Sequence, residues 1–242
     1  MRKWVTAAMA VAGIFVATAA LALPLTVGDT VNVGNASGGA FTPSPVPSDP
    51  NGLFAGVSFS LNGGSWRGAS AGLFVLDYQH VAPTATTTWT QFLSFCLEPD
   101  VYLTPFSNPY SVQTVGGASY NQALISELWG RFRSSVVDNS TAAAFQVALW
   151  ELAYGTTNMD VTSGAFRLAS GSIATLAQGW INQLNGSGPM AGGLVVLVNN
   201  PNLADRQDLI TQVSVPEPAT VGLLGLGLLG IGLSRRRKPL RA

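Results

Sequence analysis

The carboxyl-terminal end of this chain suits a membrane better than the core of a globular domain. Residues 219–233 form an uncharged stretch rich in glycine and leucine, and a basic cluster follows at Arg235, Arg236, Arg237 and Lys238. A helix needs about 20 apolar residues to span a bilayer, and this stretch has fewer. Basic residues stay on the cytoplasmic side of a membrane. We therefore expect the segment to associate transiently with the membrane during export and to lie outside the folded body.

A short motif precedes the apolar stretch. Pro216, Glu217 and Pro218 follow Val215, and the two prolines favour an extended, accessible backbone. The motif, the apolar helix and the basic tail together resemble the PEP-CTERM sorting signal of Gram-negative bacteria, also called the ice-binding protein C-terminal type. The resemblance implies that an exosortase-like membrane protease cuts near the motif, so that the tail is a removable address. A permanent carboxyl-terminal anchor, which would be a transmembrane helix, is the alternative.

The amino terminus also predicts export. Arg2 and Lys3 precede a nearly continuous apolar run over residues 5–21. Ala20 and Ala22 fit the small-x-small rule for signal peptidase, so we expect the mature chain to begin at Leu23. The predicted organisation is a signal peptide over residues 1–22, an exported body over residues 23–214 and a sorting signal over residues 215–242. We expect the product at the outer surface, in the cell envelope or in the extracellular matrix.

The charge of the body limits its partners. The whole chain has 12 basic and 12 acidic residues, but residues 23–215 contain only 5 of the basic residues and 11 of the acidic ones, a net charge of −6. Nucleic acid is therefore not an expected partner, because phosphate binding needs a basic face. Both lysines of the chain, Lys3 and Lys238, lie in the predicted removable ends.

Apolar periodicity predicts an α+β fold, with an antiparallel β-sheet or sandwich and a helical insert of about three helices. Alternation predicts strands over residues 57–61, 73–78, 89–97, 194–198 and 209–215, with a turn at residues 62–64. Helical spacing predicts helices behind a capping box at Ser119 and Gln122, from Ser140 or Thr141 to Gly155, and over residues 172–185. A signal helix and an apolar helix are expected at the two ends.

Residues for catalysis are few. The chain has one histidine, His80, and one cysteine, which cannot supply the ligands of a zinc site. A Ser-His-Asp triad through His80 is formally possible, but no Gly-x-Ser-x-Gly elbow accompanies it, and we expect a histidine at the surface or at a strand edge. Glu98 and Asp100 could form a carboxylate pair, although solvated loop acids are the simpler interpretation. We expect no cofactor and no enzyme.

Cys96 is an odd cysteine in an exported chain, and such a residue is either a reactive thiol or a small buried hydrophobe. It ends a predicted strand in the sequence Phe-Cys-Leu-Glu, and 50 residues later Gln146 lies in a helix with the sequence Ala-Phe-Gln-Val-Ala-Leu-Trp-Glu. Together these segments resemble the thioester domains of bacterial surface adhesins. The resemblance implies that Cys96 and Gln146 form an internal thioester that acylates an amine on a partner. Phe145 stands where that family usually has threonine.

Two functions follow from these patterns. The first is a covalent adhesin that captures a surface amine or an extracellular polymer through Cys96 and Gln146. The second is a non-covalent structural or carbohydrate-associated envelope protein in which Cys96 is buried and unreactive. Because neither residue lies on a predicted core stripe, we expect alanine at either position to leave most of the fold intact.

Overall fold

The fold is α+β, as the sequence predicts, and its centre is a closed antiparallel barrel. The computed structural model describes residues 23–34, 52–101, 109–155, 158–199 and 207–213. Six strands close the barrel in the order β1, β5, β7, β8, β4, β3, and β3 returns to β1. The strands are β1 Thr30–Gly34, β2 Leu53–Leu61, β3 Arg67–Ala82, β4 Thr90–Cys96, β5 Tyr110–Thr114, β6 Phe166–Leu168, β7 Leu194–Val198 and β8 Leu209–Gln212.

Strand β3 is long enough to serve two sheets. Its second half pairs with β1 and β4 inside the barrel, and its first half pairs with β2, with Leu73 opposite Leu53. The turn between β2 and β3 contains Asn62 and Gly63 with φ angles of 49° and 73°. Both values lie in the left-handed region, which asparagine and glycine tolerate best. Strand β6 then pairs with the outer edge of β2.

The helices lie together in the chain between β5 and β7. They are α1 Gln122–Phe132, a short 3₁₀ turn Arg133–Ser135, α2 Asn139–Tyr154 and α3 Ser172–Ile181. Helix α2 begins at a reciprocal capping box, in which Asp138 accepts from the Thr141 main chain and Thr141 accepts from the Asp138 main chain. It is almost wholly buried from Ala142 to Leu152, which makes it the central helix of the insert.

Two apolar clusters divide the interior. One fills the barrel and includes Val31, Leu76, Cys96, Tyr110 and Leu209. The other lies between the helices and the outer face of the sheet, with Phe95, Leu97 and Phe145 among its members. Consecutive residues of β4 therefore enter different clusters, as the alternation of side chains along a strand requires.

The structure corrects several predictions from sequence. The capping box at Ser119 is wrong, because Asn121 caps α1 and its side chain accepts from the Leu124 N–H at 3.2 Å. Helix α3 ends at Ile181, and the prediction to residue 185 is too long. Strands β1, β5 and β6, of three to five residues each, were not predicted from sequence. The predicted signal helix and apolar carboxyl-terminal helix lie outside the described residues.

Candidate functional site at Cys96 and Gln146

Cys96 is the last residue of β4, in the part of the sheet that packs against the helices. Its side chain lies in the barrel cluster and is 3% exposed. Phe95 and Leu97, on either side of it, face the helices. The sulfur therefore points into the barrel, while the main chain of Cys96 passes beside α2.

Aromatic rings in tilted and edge-to-face contact hold α2 against β4. The ring of Phe145 lies 4.8 Å from that of Phe95 and 5.4 Å from that of Trp129, measured between centroids. Contacts of this kind fix the distance and the rotation of a helix on a sheet. They place the next residue, Gln146, directly over the end of β4.

The Gln146 carboxamide binds the main chain of Cys96 at both of its ends. The Cys96 N–H donates to Gln146 Oε1 at 2.9 Å, and Gln146 Nε2 donates to the Cys96 carbonyl in a short contact. Gln146 has no exposed surface. Residues 50 positions apart in sequence are thus joined in a buried site.

The amide takes the place of a missing strand neighbour. The pairing of β3 with β4 ends at Phe74 and Ser94, after which β3 turns away to β2. On the other edge, Leu97 donates to the Asp208 carbonyl at 2.9 Å, so β8 continues. The N–H and C=O of Cys96 on the β3 side would be buried without partners, and such groups need a hydrogen bond. Gln146 supplies it.

Alanine at Cys96 or Gln146 was expected to leave most of the fold intact because neither residue lies on a predicted core stripe. The burial of both residues contradicts that reason. Both residues are buried, and Gln146 satisfies two main-chain groups. A single core stripe describes a helix that is covered on one side only. Helix α2 is packed on several sides, since it contacts α1, α3, β2, β3, β4 and β6.

Burial disfavours the thiolate form of Cys96. Desolvation raises the pKa of the thiol, and the negative charge of nearby Glu98 raises it further. A thiol in this state is a poor nucleophile in water.

Acidic residues and tyrosines surround the segment that follows β4. Glu98 accepts from the Asp208 N–H at 2.8 Å, and the Tyr120 hydroxyl donates to Asp208 Oδ2 at 2.9 Å. Burial is the main cause that raises the pKa of both carboxyl groups. Asp100 is exposed and accepts from the Tyr154 hydroxyl at 3.2 Å. Glu98 is thus half-buried and hydrogen-bonded, whereas the simpler interpretation made it a solvated loop acid.

His80 corrects another expectation, because it is buried and not at the surface. It is 6% exposed, its Nε2 lies 3.1 Å from the Leu23 carbonyl and its Nδ1 lies 3.6 Å from Asp29. The Tyr78 hydroxyl donates to the same carbonyl at 2.7 Å. His80 therefore fastens the first described residues to the barrel. No described serine hydroxyl is hydrogen-bonded to it.

Among the described residues, Glu151 is a buried acid without a hydrogen-bonded side chain, and it was not singled out from the sequence. Glu151 of α2 has no exposed surface, and neither of its oxygens has a hydrogen-bond partner of ordinary geometry among the described residues. Burial raises its pKa to about 7, the charge of Asp160 adds to the shift, and the Asp160 main chain offsets part of it. The local sequence contains a signal for this burial, because Glu151 lies between the apolar residues Trp150 and Leu152.

The described residues contain neither a metal-binding group of side chains nor a helix suited to cross a membrane. Within the described ranges, no three His, Cys, Asp or Glu side chains could share a metal ion. In that same part of the chain, no helix is both long and apolar enough to cross a membrane.

Comparison with known families identifies the tail. Residues 214–238 match the PEP-CTERM protein-sorting motif. No curated protein and no solved structure matches the chain. The motif indicates an exported bacterial protein that is sorted to the cell envelope or surface and processed by an exosortase-like membrane protein. The match does not extend into the body that contains Cys96 and Gln146.

Proposed function

We propose that the exported body is a covalent adhesin, in which Cys96 and Gln146 form an internal thioester that acylates an amine on a cell surface or an extracellular polymer. The observation that supports this most is the position of the buried Gln146 carboxamide on the main chain of Cys96. The electrophilic carbon and the only sulfur nucleophile of the described chain belong to residues in direct contact. The chain acts once on its partner and is not an enzyme.

The reaction balances without a co-reactant. The Cys96 sulfur attacks the Gln146 amide carbon, a C–S bond forms, the C–N bond breaks and the thiol proton leaves with ammonia. A partner amine then attacks the same carbon. A new C–N bond forms, the C–S bond breaks, and one amine proton returns to the Cys96 sulfur.

Burial supports the lifetime of such a bond. Neither Cys96 nor Gln146 is accessible to water, and a closed site protects a reactive acyl group from hydrolysis. Partner access therefore requires a local movement of the residues that cover the site. The absence of lysine from residues 23–215 also fits, because the body has no side-chain amine that could be acylated by a second copy.

A non-covalent envelope protein is the second candidate function. It is favoured by the hydrogen bonds at both ends of the Gln146 amide and by the direction of the Cys96 side chain, which points into the barrel. In that case Gln146 is a structural substitute for a strand and Cys96 is an unreactive core residue. The partner would then be an extracellular polymer bound without a covalent bond.

Amine capture separates the two candidates. The folded protein is incubated with methylamine, digested and mapped by mass spectrometry, with Cys96→Ala as the matched control. The covalent function predicts methylamide at Gln146 and a newly alkylatable Cys96 in the same molecules, and neither in the control. An unmodified Gln146 after incubation would establish the non-covalent candidate instead.

A further inference from the structure

The first and the last described residues of the chain lie at one end of the barrel. Residue 23, where the mature chain is expected to begin, and residue 213, which directly precedes the sorting motif, are the first and last described residues. Pro24, Leu25 and Val213 line the same cavity of about 490 Å³, together with Leu93 and Arg133. We call this the Leu93 end of the barrel, comprising residues 23–29, 81–93 and 212–213.

Strand pairing confirms that these segments share one end. Thr30 is opposite Ala82, Tyr78 is opposite Thr90, and Gln212 is opposite Leu194. Cys96 pairs with Leu209 near the other end of β4 and β8. We call that end, which continues into residues 97–100 and 207–208, the Cys96 end.

The Leu93 end contains most of the large apolar side chains that are exposed in the described part of the chain. Seven large apolar side chains are exposed in the described part of the chain, and four of them belong to this end: Leu23, Val27, Val81 and Leu93, with exposed fractions of 43%, 56%, 40% and 41%. Exposed apolar residues that gather in one place mark an interaction surface.

The two ends of the barrel also differ in the number of charged side chains. Residues 81–93 contain no charged side chain, and the one acid of residues 23–29, Asp29, is buried against His80. Arg133 is the charged residue that lines the cavity. The Cys96 end instead has Glu98, Asp100 and Asp208. Anionic lipid repels carboxylates and attracts arginine, so only the Leu93 end is compatible with a lipid surface.

We propose that the Leu93 end docks on the lipid surface of the membrane while the carboxyl-terminal segment is attached, so that the Cys96 end points away from the membrane. The apolar residues 219–233 start only a few positions after Val213, so a membrane-inserted tail holds this end close to the lipid. The proposal rests on the sorting motif and does not depend on a thioester.

Depth-dependent quenching tests this orientation. The exported protein with its carboxyl-terminal segment retained is prepared in a Cys96→Ala background, which also removes any thioester. Single cysteines at Val81→Cys, Leu93→Cys and Asp100→Cys carry an environment-sensitive fluorophore, and Leu224→Cys reports insertion of the tail. The probe is a vesicle of phosphatidylcholine and phosphatidylglycerol with brominated acyl chains.

We expect brominated lipid to remove most of the fluorescence at positions 81, 93 and 224 and to leave position 100 unchanged. Adding Leu93→Glu should reduce the quenching at position 81 while position 224 stays quenched, and Val137→Glu, an exposed apolar site outside the Leu93 end, should not. Quenching at position 224 alone, equal quenching at all positions, or quenching at none would each overturn the proposal. None of these outcomes bears on amine capture, which is measured with Cys96 present.

Discussion

At the scale of single residues, the Gln146 carboxamide links the structural and the chemical interpretation of the site. It completes the hydrogen bonding of β4 where β3 departs, and it brings an amide carbon to the residue that has the only described sulfur nucleophile. The structural role needs the intact amide, because thioester formation releases Gln146 Nε2 as ammonia and removes its hydrogen bond to the Cys96 carbonyl. Substitutions can therefore separate them.

Gln146→Ala should destabilise a protein in which the Gln146 amide is intact. It leaves the N–H and C=O of Cys96 buried without partners, which costs about 2–4 kcal/mol in the free energy of unfolding. Urea denaturation measures it, with Gln183→Ala as the control, because Gln183 is exposed and its side chain bonds only the Gly179 carbonyl. Equal stabilities of the two variants would contradict the role given to Gln146.

Glu151 should make the protein less stable as the pH rises. Its pKa is raised to about 7 in the folded state, mainly by burial, so the folded protein binds the proton more tightly than the unfolded chain. The stabilisation is therefore complete below the ordinary pKa of glutamate and is lost as the pH rises through about 7.

Glu151→Gln keeps the shape of the side chain and removes the titration. Between about pH 4.5 and pH 8, we expect the wild type to lose up to about 3 kcal/mol more stability than the variant does. Chemical denaturation across that pH range checks this. Some slope will persist in the variant, because the pKa values of Glu98 and Asp208 are also raised. Parallel profiles for wild type and variant would show that Glu151 does not titrate as described.

At the scale of elements, helix α2 determines the site because its first turn sets where Gln146 lies. Asp138 accepts from the Thr141 N–H at 2.8 Å, and this interaction lowers the pKa of Asp138. Asp138→Ala should cost about 1 kcal/mol. Ser140→Ala, in the same turn but without a side-chain cap, should change stability by less than about 0.5 kcal/mol. A similar loss for both would argue against the cap, and thermal denaturation distinguishes the cases.

The sequence predicts the elements with strong periodicity and misses those that depend on distant pairing. Helix α2 and strand β7 were placed within a residue or two, because α2 has a long apolar run that ends at Gly155 and β7 is a compact apolar segment. Strand β1 has only five residues, so the alternation of Val31 and Val33 is a weak signal, and its pairing with β3 defines it.

The candidate site was likewise predictable only in part. The pairing of Cys96 with Gln146 was predicted from a resemblance, and the structure shows a hydrogen-bonded contact between the two residues without testing the bond. The direction of the Cys96 side chain into a closed barrel did not follow from the sequence, because alternation along β4 gives two faces without saying which one the helices cover. The burial of His80 depends on residues 23–29 folding over it, which a pattern centred on β3 does not contain.

At the scale of the whole molecule, the sorting motif determines where the body works. The match at residues 214–238 predicts that envelope-associated protein has lost its basic tail, and the Ala20 and Ala22 site predicts an amino terminus at Leu23. Terminal sequencing of the mature protein checks both ends. Recovery of Arg235, Arg236 and Arg237 in the mature form would indicate a permanent anchor instead.

The mass of the intact, untreated secreted protein tests the central proposal most directly. A Cys96–Gln146 thioester lowers the mass by about 17 Da relative to the processed sequence, because ammonia is lost. We expect this deficit in the wild type, with a thiol that resists alkylation after denaturation until an amine opens the bond. We expect neither property in Cys96→Ala. A wild-type mass equal to that of the processed sequence, together with a thiol that is alkylated on unfolding, would contradict the thioester.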